Sequence, residues 1–139
     1  MRVKIFGSGH LNTIAAHSNT ARAQSGAGQL ADAAETYRDV LAIFRDEFGN
    51  DNFHVAGILQ SYGGVYLQME EYEQAETIIR KSLKHSERLL PPGHIRQAYP
   101  LKGLADALRG QNRFKEVLVN AEQAYKIRSK SLEDDDPNL

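Results

Sequence analysis

The sequence predicts an all-α fold of three stacked helix-turn-helix units, and three observations carry that reading. The first is an internal repeat: a shift of 42 residues superimposes Ala21 on Gly63 and Ala105, and Leu30 on Tyr72 and Phe114. A fixed period of a few tens of residues is the mark of a stacked-repeat architecture. The second is apolar spacing inside a unit, where Leu59, Tyr62 and Tyr66, then Ala75, Ile78, Ile79 and Leu83, recur as on two amphipathic helices. The third is where the breakers fall. Ser25-Gly26-Ala27-Gly28, Met69-Glu70-Glu71 and Gly110-Gln111-Asn112 separate the halves of each unit. Glycine and asparagine there permit the positive backbone angles of a tight helical hairpin.

Further columns keep the period without a gap: Ala33, Ala75 and Val117; Tyr37, Ile79 and Ala121; Leu41, Leu83 and Tyr125; Phe48, Leu90 and Leu132. Between units stand Gly49-Asn50-Asp51-Asn52, Pro91-Pro92-Gly93 and Asp134-Asp135-Asp136-Pro137, each poor in helix propensity. Six helices are expected, over residues 11–26, 29–47, 53–68, 71–89, 94–110 and 113–132. The repeat domain then spans 11–139, in units of about 11–52, 53–94 and 95–136, behind a lead of residues 1–10 that is either flexible or cloning-derived. Val3 to Phe6 has the composition of a short extended stretch.

The totals bound the function. A chain of 139 residues fits one domain, and 41% hydrophobic with 25% charged residues is ordinary for a globular protein. A formal net charge of -1 gives no overall field for nucleic acid or an anionic membrane. With no cysteine, disulfides, thiolate zinc sites and cysteine nucleophiles are excluded, and a reducing compartment is the natural home. No apolar run reaches the roughly 20 residues of a membrane helix, and the opening residues lack the apolar stretch of a secretion signal. The expectation is a cytoplasmic protein with no membrane or nucleic-acid partner.

These residues resemble the tetratricopeptide repeat, in the longer form found in kinesin light chains and bacterial scaffold proteins. The resemblance spans residues 11–139: Leu59, Tyr62, Gly63, Tyr66, Tyr72 and Ala75 fall at that family's packing positions, as do Leu101, Leu104, Ala105, Leu108, Gln111 and Phe114. Phe48 to Asp51 and Leu132 to Pro137 are similar to the linker of that form, and His94 stands where the linker carries its histidine. In the first unit His17, Thr20 and Gln24 replace the large apolar residues Leu59, Tyr62 and Tyr66, so the first helix is expected to be the least stable.

The resemblance implies a right-handed α-α superhelix whose concave trough is lined by the first helix of each unit and holds an extended or helical peptide. The outward positions are Ser18, Asn19, Arg22 and Ser25; Gln60, Ser61, Gly64 and Gln68; Tyr99, Lys102, Asp106 and Arg109. Amide side chains can bridge to a peptide backbone, and three cations against one carboxylate favour an acidic ligand. Some relatives grip a C-terminal carboxylate with a lysine, asparagine and arginine set, but Ser18, Ser61 and Gly103 occupy places that need longer donors. The paired asparagines common in the kinesin form are represented by Asn19 alone, against Gln60-Ser61 and Lys102-Gly103.

Other signals lead to no chemistry. His10, His17, His54, His85 and His94 lack the one-turn pairing and carboxylates of a helical zinc site. His17 reads as a hydrogen-bonded structural histidine on an inner face, and His94 as a helix start. Gly26-Ala27-Gly28 follows a helix and has no Lys-Ser or Lys-Thr behind it, so it is a turn and not a phosphate loop. Glu133 to Asp136 lacks the ligand spacing of a calcium loop. No nucleophile-base pair or cofactor loop is legible, so neither enzyme activity, cofactor nor metal is expected.

A second reading concerns the ends. The sequence stops where a further unit would start, with no polar helix to cover Val117, Leu118, Ala121 and Tyr125, so it resembles part of a longer array. An uncovered apolar end favours self-association.

Overall fold

The computed structural model describes residues 8–49, 53–91 and 93–134. Six α-helices run in order: α1 (Ser8–Gly26), α2 (Leu30–Phe48), α3 (Phe53–Gln68), α4 (Tyr72–Leu89), α5 (Ala98–Gly110) and α6 (Phe114–Asp134). They pair as α1 with α2, α3 with α4 and α5 with α6, and each pair stacks on the next through α2 against α3 and α4 against α5. The expected lead ends earlier than anticipated, since α1 already begins at Ser8. Val3 to Phe6 and the linker residues 50–52 and 135–137 lie outside the described residues.

The three hairpin turns are built alike. Gly28 (φ 82°), Glu70 (φ 60°) and Asn112 (φ 61°) stand one period apart in the left-handed region. Beside each, the same two bonds close the preceding helix. Gln29 N–H donates to Gln24 C=O at 2.8 Å, Glu71 to Tyr66 at 2.9 Å and Arg113 to Leu108 at 3.0 Å. Gly28 N–H donates to Ser25 C=O, Glu70 to Leu67 and Asn112 to Arg109, at 3.0–3.1 Å. This double closure satisfies carbonyls that the helix end would leave open. The middle turn adopts it without glycine or asparagine.

The third unit starts differently from the expected 94–110 helix. A 3-10 turn covers Ile95–Gln97, capped by His94 Nδ1, which accepts from Arg96 N–H at 3.2 Å, and α5 begins at Ala98. Pro100 explains the offset. In a helix continuous from residue 95 its missing N–H would break an internal bond, whereas in the first turn of α5 no such bond is required.

Packing distinguishes two kinds of apolar column. Ala33, Ala75 and Val117 are buried in all three units, because they face the partner helix of their own pair. Tyr37 and Ile79 are buried, and Leu41 is buried where Leu83 is half-buried, because these face the next unit. Ile79 sits against both Gly63 and Gly103: a Cβ at Gly63 would lie 2.5 Å from Ile79 Cγ1, and one at Gly103 3.2 Å from Cδ1. A Cβ at Gly110 would overlap the Tyr72 ring. Close approach of α4 to α3 and α5 thus depends on absent side chains. The Tyr62 and Tyr66 rings meet at a tilt of 50° on α3 with centroids 5.2 Å apart; burial, then the Tyr66 hydroxyl, push the Tyr62 phenol up to about 12, so it stays neutral.

One expectation about the core is corrected. His17 is exposed, because its side of α1 has no described helix packed on it.

Candidate functional site

The register of the first helices decides which of their side chains stay open. In α3, Val55, Leu59 and Val65 are buried against the preceding unit, and Gly63 is buried against α4. That orientation leaves Gly57, Gln60, Ser61, Gly64 and Gln68 on the remaining side, exposed or half-buried. Nothing lies within 4 Å of a Cβ built at Gly57 or Gly64, so the middle of the strip is bare backbone. Gly57 was missed in the sequence, although its repeat partner Tyr99 marks the column.

Of the expected lining residues, Asn19, Arg22, Ser61, Gln68, Tyr99, Lys102 and Arg109 are exposed, and Ser18, Ser25, Gln60, Gly64 and Asp106 are half-buried. Two contacts join members of the set. Ser25 Oγ donates to Gln68 Oε1 at 2.7 Å, tying α1 to α3 at one end of the strip. Arg109 Nη1 lies 3.2 Å from Asp106 Oδ1, one turn away on α5. That pair reduces the unopposed positive charge of the strip to Arg22 and Lys102. Tyr99 turns toward α6, where the Arg128 guanidinium carbon stands 5.9 Å from its ring centroid. Ser18, Asn19, Arg22, Gln60, Ser61 and Lys102 form no side-chain hydrogen bond or ion pair among the described residues.

The end residues divide. Leu118 (63% exposed) and Tyr125 (73%) are open to solvent, and Ala121 is exposed. Val117 is corrected: it is 8% exposed, in a cluster with Ala75, Ile79, Leu104 and Leu108, because it belongs to the column that faces its own pair. Phe114 (57%) and Leu132 (74%) extend the open stripe in its place.

A polar joint that the sequence did not reveal links the second and third units. The Glu76 carboxylate, its side chain 14% exposed, accepts from Gln111 Nε2 at 3.0 Å and Arg113 Nη1 at 2.8 Å, and from Arg80 at 2.8 Å. Burial alone would raise its pKa, but the Gln111 and Arg80 hydrogen bonds and the two guanidinium charges outweigh it, and the carboxyl is held below the usual range. Arg113 is in turn clamped by both Glu116 oxygens at 2.6 and 2.7 Å. The joint adjoins an open cleft of about 600 Å³ between the turns, lined by Glu70, Glu71, Tyr72, Gly110, Gln111 and Arg113 among others. Both Glu76 oxygens are occupied by protein, so the joint reads as structural. Among the described residues no group of three His, Asp or Glu could hold a metal ion.

Comparison with known proteins agrees with the helical-repeat fold. Residues 54–130 match the family model described as tetratricopeptide repeat. No curated protein matches the chain in sequence. Among solved structures, BtubC (BKLC) from P. vanneervenii superposes with a TM-score of 0.80 at 16% identity, covering 91% of this chain and 50% of that one. A putative kinesin light chain with nearly identical TPR-like repeats from Podosopora anserina gives 0.78 at 18%, covering 91% and 60%. A variant of the same protein gives 0.79 at 19%, covering 93% and 61%. At such identities the likeness is one of fold. The chain spans half to about three-fifths of the length of these structures.

Proposed function

The chain belongs to the tetratricopeptide repeat family, and from that premise we propose that it holds an extended or helical segment of another protein in the trough lined by α1, α3 and α5. Members of this family serve generally as non-enzymatic protein-interaction scaffolds. The observation that supports the trough is the row of six polar side chains without partners among the described residues, beside a floor left bare at Gly57 and Gly64. Donors and acceptors already engaged within the protein would have little to offer a ligand. Here Asn19 and Gln60 can pair with a peptide backbone, while Arg22 and Lys102 can meet carboxylates. The bare floor lets a main chain approach closely.

The ligand favoured is acidic, through Arg22 and Lys102, with Arg109 available only in competition with Asp106. A cytoplasmic setting belongs to the same proposal and rests on the absence of cysteine. Among the described residues no helix is long and apolar enough to cross a membrane.

The test is selection from a displayed random-peptide library. The unmodified chain is compared with one carrying Asn19→Ala, Arg22→Glu, Lys102→Glu and Arg109→Glu, once circular dichroism has shown equal helicity. Enrichment of acidic peptides by the unmodified chain, lost in the variant and weakened by salt, supports the trough. Enrichment that survives the four substitutions rejects it.

A further inference from the structure

The outer faces of the first and last described helices are unlike. At the first, the α1 positions equivalent to the buried Leu59 and the half-buried Tyr62 and Tyr66 are His17, Thr20 and Gln24. His17 and Thr20 are exposed, Thr20 Oγ1 bonds back to Ala16 C=O at 3.0 Å, and Gln24 Oε1 accepts from Thr36 Oγ1 at 2.9 Å. This face is small and polar, and Thr20 and Gln24 are already bonded within the protein.

At the other end, Phe114, Leu118, Ala121, Tyr125 and Leu132 stand one period after Tyr72, Glu76, Ile79, Leu83 and Leu90, the α4 side on which α5 is seated. The stripe therefore continues an established interface and is shaped to receive a helix. Its large members are 57–74% exposed. The five residues are spaced by 4, 3, 4 and 7 and follow a heptad seam, with Arg128 filling the remaining seam position and drawn back over Tyr99.

We propose that this stripe is a self-association surface, on which α6 of a second copy of the chain lies antiparallel about a two-fold axis. The polar α1 end cannot serve as the complementary surface, which disfavours head-to-tail growth. Among the described helices α6 alone carries a continuous exposed apolar stripe, so the matching patch on a second copy is the same patch, as two-fold pairing requires. With the axis near Gln123, Ala121 meets Tyr125 of the other copy, Phe114 meets Leu132 and Leu118 meets the methylene stem of Arg128, so small faces large, aromatic faces aliphatic and the charged head is left at the rim. Four large side chains more than half exposed offer on the order of 500 Å² per copy, close to the ~1,000 Å² total of the smallest specific interfaces.

Sedimentation equilibrium of the intact chain tests this. The expected result is a reversible monomer-dimer equilibrium in the micromolar range. Leu118→Arg, at an exposed site that faces Arg128 of the other copy, sets two guanidinium charges against each other and is expected to weaken it at least about 30-fold while helicity and melting temperature stay the same. Because the chain has no cysteine, single-cysteine copies fix the geometry. Ala121→Cys mixed with Tyr125→Cys is expected to form the mixed disulfide, and Thr20→Cys mixed with Leu118→Cys is not. A monomer at millimolar concentration, a dimer indifferent to Leu118→Arg, or preferential Thr20-to-Leu118 crosslinking each overturns the proposal.

Discussion

Glu70 occupies the position that glycine fills in the first hairpin turn and asparagine in the third, and replacing it should stabilise the protein. Its φ of 60° lies where the Cβ of an L residue crowds the following carbonyl, a strain of roughly 1–2 kcal/mol. Glycine escapes that strain but loosens the unfolded chain, which takes back about 0.5–1 kcal/mol. The side chain is exposed and has no hydrogen-bonding or ionic partner among the described residues, so little else is lost. The net gain for Glu70→Gly is then about 0.5–1 kcal/mol, and Glu70→Asn, which tolerates the same region without the entropic loss, should match it. Unfolding entropy near 2.1 cal/mol/K per residue over 139 residues gives roughly 0.3 kcal/mol/K, so the melting temperature should rise about 2–3 °C. Gly28→Ala should lower it by a comparable amount. Thermal melts followed by circular dichroism, with urea titrations alongside, read all three. A fall in melting temperature for both Glu70 variants would refute the left-handed assignment on which the reasoning rests.

Two adjacent glycines should respond oppositely to alanine. Gly63→Ala drives a methyl into Ile79 and should cost about 1–3 kcal/mol, whereas Gly64→Ala meets open space and should gain up to about 1 kcal/mol of helix propensity, both read by urea unfolding. Glu76→Ala should cost about 1–2 kcal/mol by releasing Gln111 and Arg113. Since the native carboxyl pKa is lowered, the native state favours the charged form. That stabilisation is present above the unfolded value of 4.5 and lost as pH falls through the native one, and Glu76→Ala should flatten this part of the stability-pH curve. His85, buried at Nδ1 without a partner, has its pKa lowered by burial and then by Arg45 and Lys84, so the unfolded chain takes its proton first. Stability should decline as pH drops below 6.5 toward the native value, and His85→Gln should remove that slope.

The helices, their pairing and most turns were legible because a 42-residue period displays each decision three times. Legibility failed where the deciding partner lies in another unit. Nothing in Met69-Glu70-Glu71 announces a left-handed residue; the neighbouring turns, one period away, were the available signal. Val117 and Leu118 are both apolar, and only the packing of Ala75 and Ile79 shows that one column faces its own pair and the other the next unit. The Glu76 joint draws on residues 35 and 37 positions away, beyond any local pattern. For the candidate site, the exposed and half-buried positions followed from helical register. The Asp106–Arg109 pair, which halves the unopposed charge expected from α5, required side-chain geometry.

The first helix offers the sharpest physical contrast within the repeat. Over residues 14–26, α1 buries only Ile14 and Ala21, while α3 buries Val55, Ala56, Leu59, Gly63 and Val65 and half-buries Tyr62 and Tyr66. The missing inter-unit side chains, His17 for Leu59, Thr20 for Tyr62 and Gln24 for Tyr66, forgo roughly 4 kcal/mol of apolar burial at 1.5–3 kcal/mol for a fully buried group. Opening of α1 away from α2 should therefore precede global unfolding, and its amides should exchange about a thousandfold faster than those of α3 in native-state hydrogen exchange. Because Asn19 and Arg22 of α1 belong to the proposed trough, a ligand bound there should slow α1 exchange more than that of α6. Equal protection of α1 and α3 in the free protein would mean that Ile14, Ala21 and the Gln24–Thr36 bond hold the helix more firmly than apolar burial allows.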